Sequence, residues 1–166
     1  KDLSEAKKWY QKAADQGHEK AKEKLNEVSA AIAIKDTELK YQLANDYYYG
    51  RNGKTKNYSQ AVIYFRQAAE MGHADAQNEL GWCYQHGQGV KKDYVEAVKW
   101  YRKSAEQGHR SAQNNLGNRY YNGEGVTKDY VEAAKWYRKA AEQGQQNGQY
   151  NLGWCYQYGQ GVTKDL

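Results

Sequence analysis

Two cysteines and four histidines are where nucleophilic or metal chemistry would have to begin in this sequence. Cys83 and Cys155 hold the same place in a recurring string, "LGWCYQ", which starts at Leu80 and again at Leu152. Packed helices lie ~8–10 Å apart, so two such positions with another unit between them should be ~20 Å apart. A disulfide needs α-carbons within about 7 Å, so the thiols are expected to be free and buried or half-buried. His18, His73 and His109 each follow a glycine, and His86 precedes one. No two histidines fall at i, i+4 on a helix and no Cys or Asp cluster joins them, so no metal site is expected and the histidines read as turn residues. "GQG" and "GEG" follow helical patterns rather than strands, which disfavours a phosphate cradle. No Ser/His/Asp set can be assembled from the spacing. The expectation is no catalytic residue, no metal and no cofactor.

The elements that would position any site come from a repeat. Trp100 returns as Trp136, Leu80 as Leu116 and Leu152, Gly72 as Gly108 and Gly144, and Tyr84 as Tyr120 and Tyr156, a period of 36 residues. Self-similarity at this period signals stacked supersecondary units. Each unit carries two helical stripes. Ala76, Leu80 and Tyr84 fall at i, i+4 and i+8, and Ala97, Trp100, Tyr101 and Ala105 at i, i+3, i+4 and i+8. Asp93 with Glu96, Asp129 with Glu132, Asp2 with Glu5 and Asn57 with Gln60 read as capping boxes. Gly72, Gly108 and Gly144 stand where the second helix should end. Gly81, Gly117 and Gly153 lie inside the first helix, at a cost of roughly 1 kcal/mol against alanine, and so mark a close approach of the partner helix. The fold class is all-α, a solenoid of helix-turn-helix repeats.

The stretch "AQNELGWCYQHGQGVKKDYVEAVKWYRKSAEQG", Ala76 to Gly108, resembles the Sel1-like repeat family of the tetratricopeptide-like superfamily, and the resemblance covers most of the chain. It implies a right-handed superhelix whose first helices line a concave face, and a protein-binding scaffold or adaptor without chemistry of its own. Aligning the packing glycine with its tetratricopeptide counterpart places Tyr41, Asn45 and Tyr48, then Asn78, Trp82 and Gln85, on that inner wall. Asn114, Asn118 and Tyr121, then Tyr150, Trp154 and Gln157, continue it. Aromatics off the core stripe, beside amides that can grip a peptide backbone, are how binding grooves are often built. The alternative is that Trp82 and Trp154 pack between hairpins. A cysteine-rich branch of the family carries paired cysteines in each repeat, absent here, so hydrolase activity of that type gets little support. Gly148 departs from the alanine of the pattern, and Tyr47 to Gly53 carries one extra residue.

The two ends are halves of a repeat. Residues 1–17 match only a second helix, 18–35 a cap-like helix, 36–72, 73–108 and 109–144 whole repeats, and 145–166 a first helix and its turn. Joined on paper as 36–166 followed by 4–35, they make a complete array. The readings are a rearranged or engineered array, two natural partial arrays, or a fragment of a longer one. Ala6, Trp9, Tyr10 and Ala14 are then expected to dock on 145–158 of another copy, giving a head-to-tail or exchanged homo-oligomer. From His18 to Tyr49 there is neither glycine nor proline, which favours one continuous helix over a break with Asp36 or Thr37 as a cap.

Mean hydropathy is −1.17, yet aromatics make up 14%, enough large side chains to build a core. The net charge of +5 is interleaved rather than blocked, which disfavours nucleic acid as a partner. No apolar run approaches the ~20 residues of a membrane span. The start lacks the apolar core of a secretion signal. The compartment is left open, with a soluble protein of the bacterial cytoplasm or periplasm compatible with the sequence. The partner expected is a protein or peptide; a self-assembling structural module is the rival.

Overall fold

The computed structural model describes residues 2–162. Among them every regular element is an α-helix: α1 Leu3–Asp15, α2 Glu19–Tyr49, α3 Tyr58–Glu70, α4 Ala74–His86, α5 Tyr94–Glu106, α6 Arg110–Asn122, α7 Tyr130–Glu142 and α8 Gln146–Tyr158. Each packs on the next in chain order, and the core is divided among the hairpins rather than gathered at one centre.

The caps explain where the helices begin. Asp2, Asp93 and Asp129 accept from the backbone amides two and three residues on, and Asn57 accepts from Gln60 N. The reciprocal half of the capping box is different from the sequence expectation. The Glu96 and Glu132 carboxylates pair with Lys99 and Lys135 one turn ahead. The histidines are not idle turn residues either. His18, His73 and His109 are the N-caps of α2, α4 and α6, each accepting from the backbone N–H three residues later, and Gln145 takes that place before α8.

The packing glycines decide how closely the paired helices approach. A Cβ on Gly81 would come within 2.8 Å of the Tyr101 ring, and one on Gly117 within 2.6 Å of Tyr137. Tyr101 is fully buried and Tyr137 is 2% exposed. Tyr84 and Tyr120, read as core positions, are only half-buried. Their hydroxyls accept from Arg66 and Arg102 on the second helix of the preceding repeat, so each ring covers the core with its tip at the surface.

α2 runs 31 residues without a break, roughly 46 Å at ~1.5 Å per residue. At the site of the alternative break, Thr37 donates back to the Ala33 carbonyl and Lys40 pairs with Asp36, both in helical register. α1 and α3 both pack on α2, while Ile34 and Leu39 in its middle stay 71% and 60% exposed.

Candidate functional site

The wall made by α4, α6, α8 and the second half of α2 is tied together by amides. Asn115 Nδ2 donates to Asn78 Oδ1 at 3.2 Å, and Asn151 Nδ2 donates to Asn114 Oδ1 at 2.9 Å and to Asn118 Oδ1 at 3.3 Å. A second ladder runs behind it. Gln77 and Gln113 donate to the Ala69 and Ala105 carbonyls of the preceding repeat and accept from Gln107 and Gln143 of their own. These bonds cost Asn78 and Asn114 their place in the proposed groove. Both are buried, 7% and 5% exposed, and their oxygens already hold the neighbouring repeat. A buried amide must be satisfied internally, and here the repeat stack satisfies it.

The other predicted residues divide by exposure. Trp82 is half-buried, stacked on His86 at 4.0 Å and edge-on to Tyr48 at 6.2 Å. Tyr41 stacks on His73 at 4.3 Å, and Asn45 donates to the Tyr41 carbonyl. Gln85 accepts from the Tyr101 hydroxyl, and Tyr48 donates to Gln88 in the next glycine turn. Gln157 is exposed. The last two repeats bring four of the predicted residues together. Asn118, Tyr121, Tyr150 and Trp154 line one cavity of about 330 Å³ with Asn151 and Tyr137. Tyr150 is 69% exposed, while Trp154 donates its Nε1–H to the Tyr121 hydroxyl at 3.2 Å. Sequence reasoning missed Asn151 and Tyr137. Asn151 was legible as the repeat of Asn115; Tyr137 reaches the wall from the other helix layer, through its bond to Asn118 Oδ1.

The Sel1 repeat pattern matches residues 1–18, 38–73, 74–109, 110–145 and 146–166. This chain belongs to the Sel1 repeat family. Sel1-repeat proteins are generally non-catalytic protein-interaction scaffolds. The chain superposes over 99% of its length on a protective antigen of uropathogenic Escherichia coli with an SLR fold, at a TM-score of 0.75 and 41% identity, covering 31% of that chain. It superposes equally well on a Sel1 repeat protein of Oxalobacter formigenes, at a TM-score of 0.75 and 38% identity, covering 62% of that chain. Helicobacter pylori cysteine rich protein B shares the fold at a TM-score of 0.60 and 24% identity, over 88% of this chain and 96% of that one. An uncharacterized protein of Neisseria meningitidis serogroup B is 34% identical over 102 residues, 54% of this chain and 22% of that protein. The chain thus spans less than two thirds of three of these four relatives.

Within this Sel1 array the reactive side chains are held for structure. Cys83 and Cys155 are free and buried, and burial pushes the Cys83 thiol up to about 12. Both are poor nucleophiles in that state. No group of three or more His, Cys, Asp and Glu capable of holding a metal occurs among the described residues. His73 and His109 accept a backbone N–H at Nδ1, so the ring proton sits on Nε2 and points at Glu38 (3.1 Å) and Asp75 (3.2 Å). The hydrogen bond from His73 holds the Glu38 carboxyl below its usual range. No helix among the described residues is long and apolar enough to cross a membrane.

Proposed function

We propose that the Sel1 array is a scaffold whose first-helix wall receives an extended peptide segment of a partner protein. The observation that carries this reading is the cavity of about 330 Å³ between the last two repeats, with Tyr150 and Trp154 exposed at its rim. A ring that lies off the core, half in water, beside amides fixed by a ladder is suited to gripping an extended chain. Tyr41, Asn45, Tyr48, Trp82, Gln85 and Gln157 extend the surface along the wall, and Tyr121 and Asn118 floor the cavity. The test is a panel of labelled extended peptides read by fluorescence anisotropy. A Tyr150→Ala, Trp154→Ala double variant should lose binding about tenfold or more, with its circular dichroism and melting temperature unchanged. Equal binding by the double variant sinks the reading.

A second reading is end-to-end association, favoured by one specific contrast. Trp9 is 61% exposed, where its repeat counterparts Trp100 and Trp136 are 3% and 8% exposed. Nothing lies within 4 Å of a Cβ built on Gly153, the counterpart of Gly81 and Gly117. α1 carries Ala6, Tyr10 and Ala14 in the places of a second helix, so α1 of one copy fits α8 of another, with Tyr10 over Gly153. Each buried aromatic would contribute roughly 1.5–3 kcal/mol. Light scattering of the 166-residue chain checks this. A strict monomer at high micromolar concentration rules it out.

A further inference from the structure

The wall carries three carboxylates, Glu38 and Asp75 in matching places of two repeats and Glu79 one helical turn on from Asp75. Two of them are answered by imidazole, Glu38 by His73 and Asp75 by His109. Glu79 is not. It accepts from Asn78 Nδ2 at 3.1 Å, and no lysine, arginine or histidine pairs with it among the described residues. It is half-buried, and burial raises the pKa of its carboxyl, opposed in part by the Asn78 hydrogen bond and by His109. A desolvated carboxylate without a cation is costly, so its retention needs a reason. The repeat sharpens the anomaly. Asn115 and Asn151 hold the same position in the next two repeats and donate along the ladder, which a carboxylate cannot do.

Aromatic residues neighbour the site: Tyr41 holds in its repeat the place of Asn78, the residue that Asn115, the counterpart of Glu79, bonds in the next. Burial makes Tyr41, Tyr48 and Tyr101 harder to ionise; the Glu79 charge adds a smaller part, opposed at Tyr101 by Arg119. Trp82 lies one helical turn on from Glu79, on the same face of α4, with its ring edge-on to Tyr48. Many fixed cations lie on second helices, Lys99, Arg102 and Lys103 on α5 and Lys135, Arg138 and Lys139 on α7. On the wall helices Lys40 and Arg119 are paired with Asp36 and Glu124, and Arg110 stands at the start of α6. A carboxylate beside Tyr and Trp faces is the chemistry that holds an ammonium or guanidinium group.

We propose that Glu79, with Tyr41, Tyr48 and Trp82, forms a subsite for a lysine or arginine side chain, so that the wall's partner is a basic extended peptide. This rests on the peptide-binding reading of the wall. The probe is a fluorescein-labelled alternating Arg–Ser decapeptide, compared with its Lys–Ser and citrulline–Ser counterparts. Arg and Lys peptides should bind about tenfold or more tighter than the citrulline peptide, with the advantage shrinking as salt rises. Glu79→Gln should abolish that advantage, leave citrulline binding unchanged, and raise the melting temperature by removing the unpaired buried charge. A Glu79 that only ends the amide ladder would leave peptide selectivity untouched. Equal binding of Arg and citrulline peptides, or a Glu79→Gln variant that keeps the preference, overturns the subsite while leaving the groove in place. Failure of every peptide, charged or neutral, overturns both.

Discussion

The interior hairpins and the last helix are written in nearly the same residues and meet opposite fates. Gly117 on α6 is pressed by Tyr137, and its helix buries Leu116 completely. Gly153 on α8 stands open, Leu152 is half-buried, and Tyr156 is 37% exposed. The second helices repeat the contrast. Five core residues of α7 are buried, while α1, with the same Trp-Tyr pair, buries none. The lesson is that a repeat's sequence specifies an interface, and only a neighbour turns it into a core.

The largest test of that contrast is the tyrosine. Tyr137→Ala should cost about 3–5 kcal/mol, because it opens a cavity against Gly117 and Asn118. Tyr10→Ala should cost well under half as much, since its ring is only half-buried on α1. Urea midpoints of the two variants compare them directly, and equal losses would mean that α1 is already packed as an interior helix.

The glycines give the next effect and reverse its sign. Gly117→Ala should destabilise by about 1–3 kcal/mol, since its Cβ would overlap the Tyr137 ring. Gly153→Ala should stabilise by up to ~1 kcal/mol, because nothing opposes the gain in helix propensity. The same Gly153→Ala change should weaken end-to-end association if Tyr10 of a second copy packs there. Thermal melts set beside sedimentation at several concentrations separate the two effects.

The smallest effect concerns the caps. His109→Ala should cost about 1 kcal/mol, the usual worth of an N-cap side chain. His109→Gln should be close to neutral, because Gln145 already caps α8 through its side-chain oxygen. A large loss from the glutamine variant would show that the bond from Nε2 to Asp75, rather than the cap, is what holds this junction.

Much of the fold was legible and the wall only partly so. Period, stripes and glycines announced the helices because helix–turn–helix units depend on short-range patterns that survive in one chain. The histidine caps were hidden, since a histidine after glycine looks like any turn residue until its ring nitrogen is seen facing a backbone N–H. Asn78 and Asn114 were read as free amides because their partners lie 37 residues away, in a neighbouring repeat. Tyr84 and Tyr120 were read as core because the stripe reports which way a side chain points, not how far its tip extends toward Arg66 or Arg102.

By itself the sequence determined that this protein is a stack of α-helical hairpins, that its glycines admit close partners, and that its thiols stand apart. Those properties follow from local periodicity and backbone geometry, which each repeat carries whole. Tertiary structure decided which of the repeated residues became core, which amides were consumed in holding the stack, and which carboxylate was left without a cation. These depend on the company each repeat keeps, so identical letters at Gly81 and Gly153 came to mean a packed seam and an open socket.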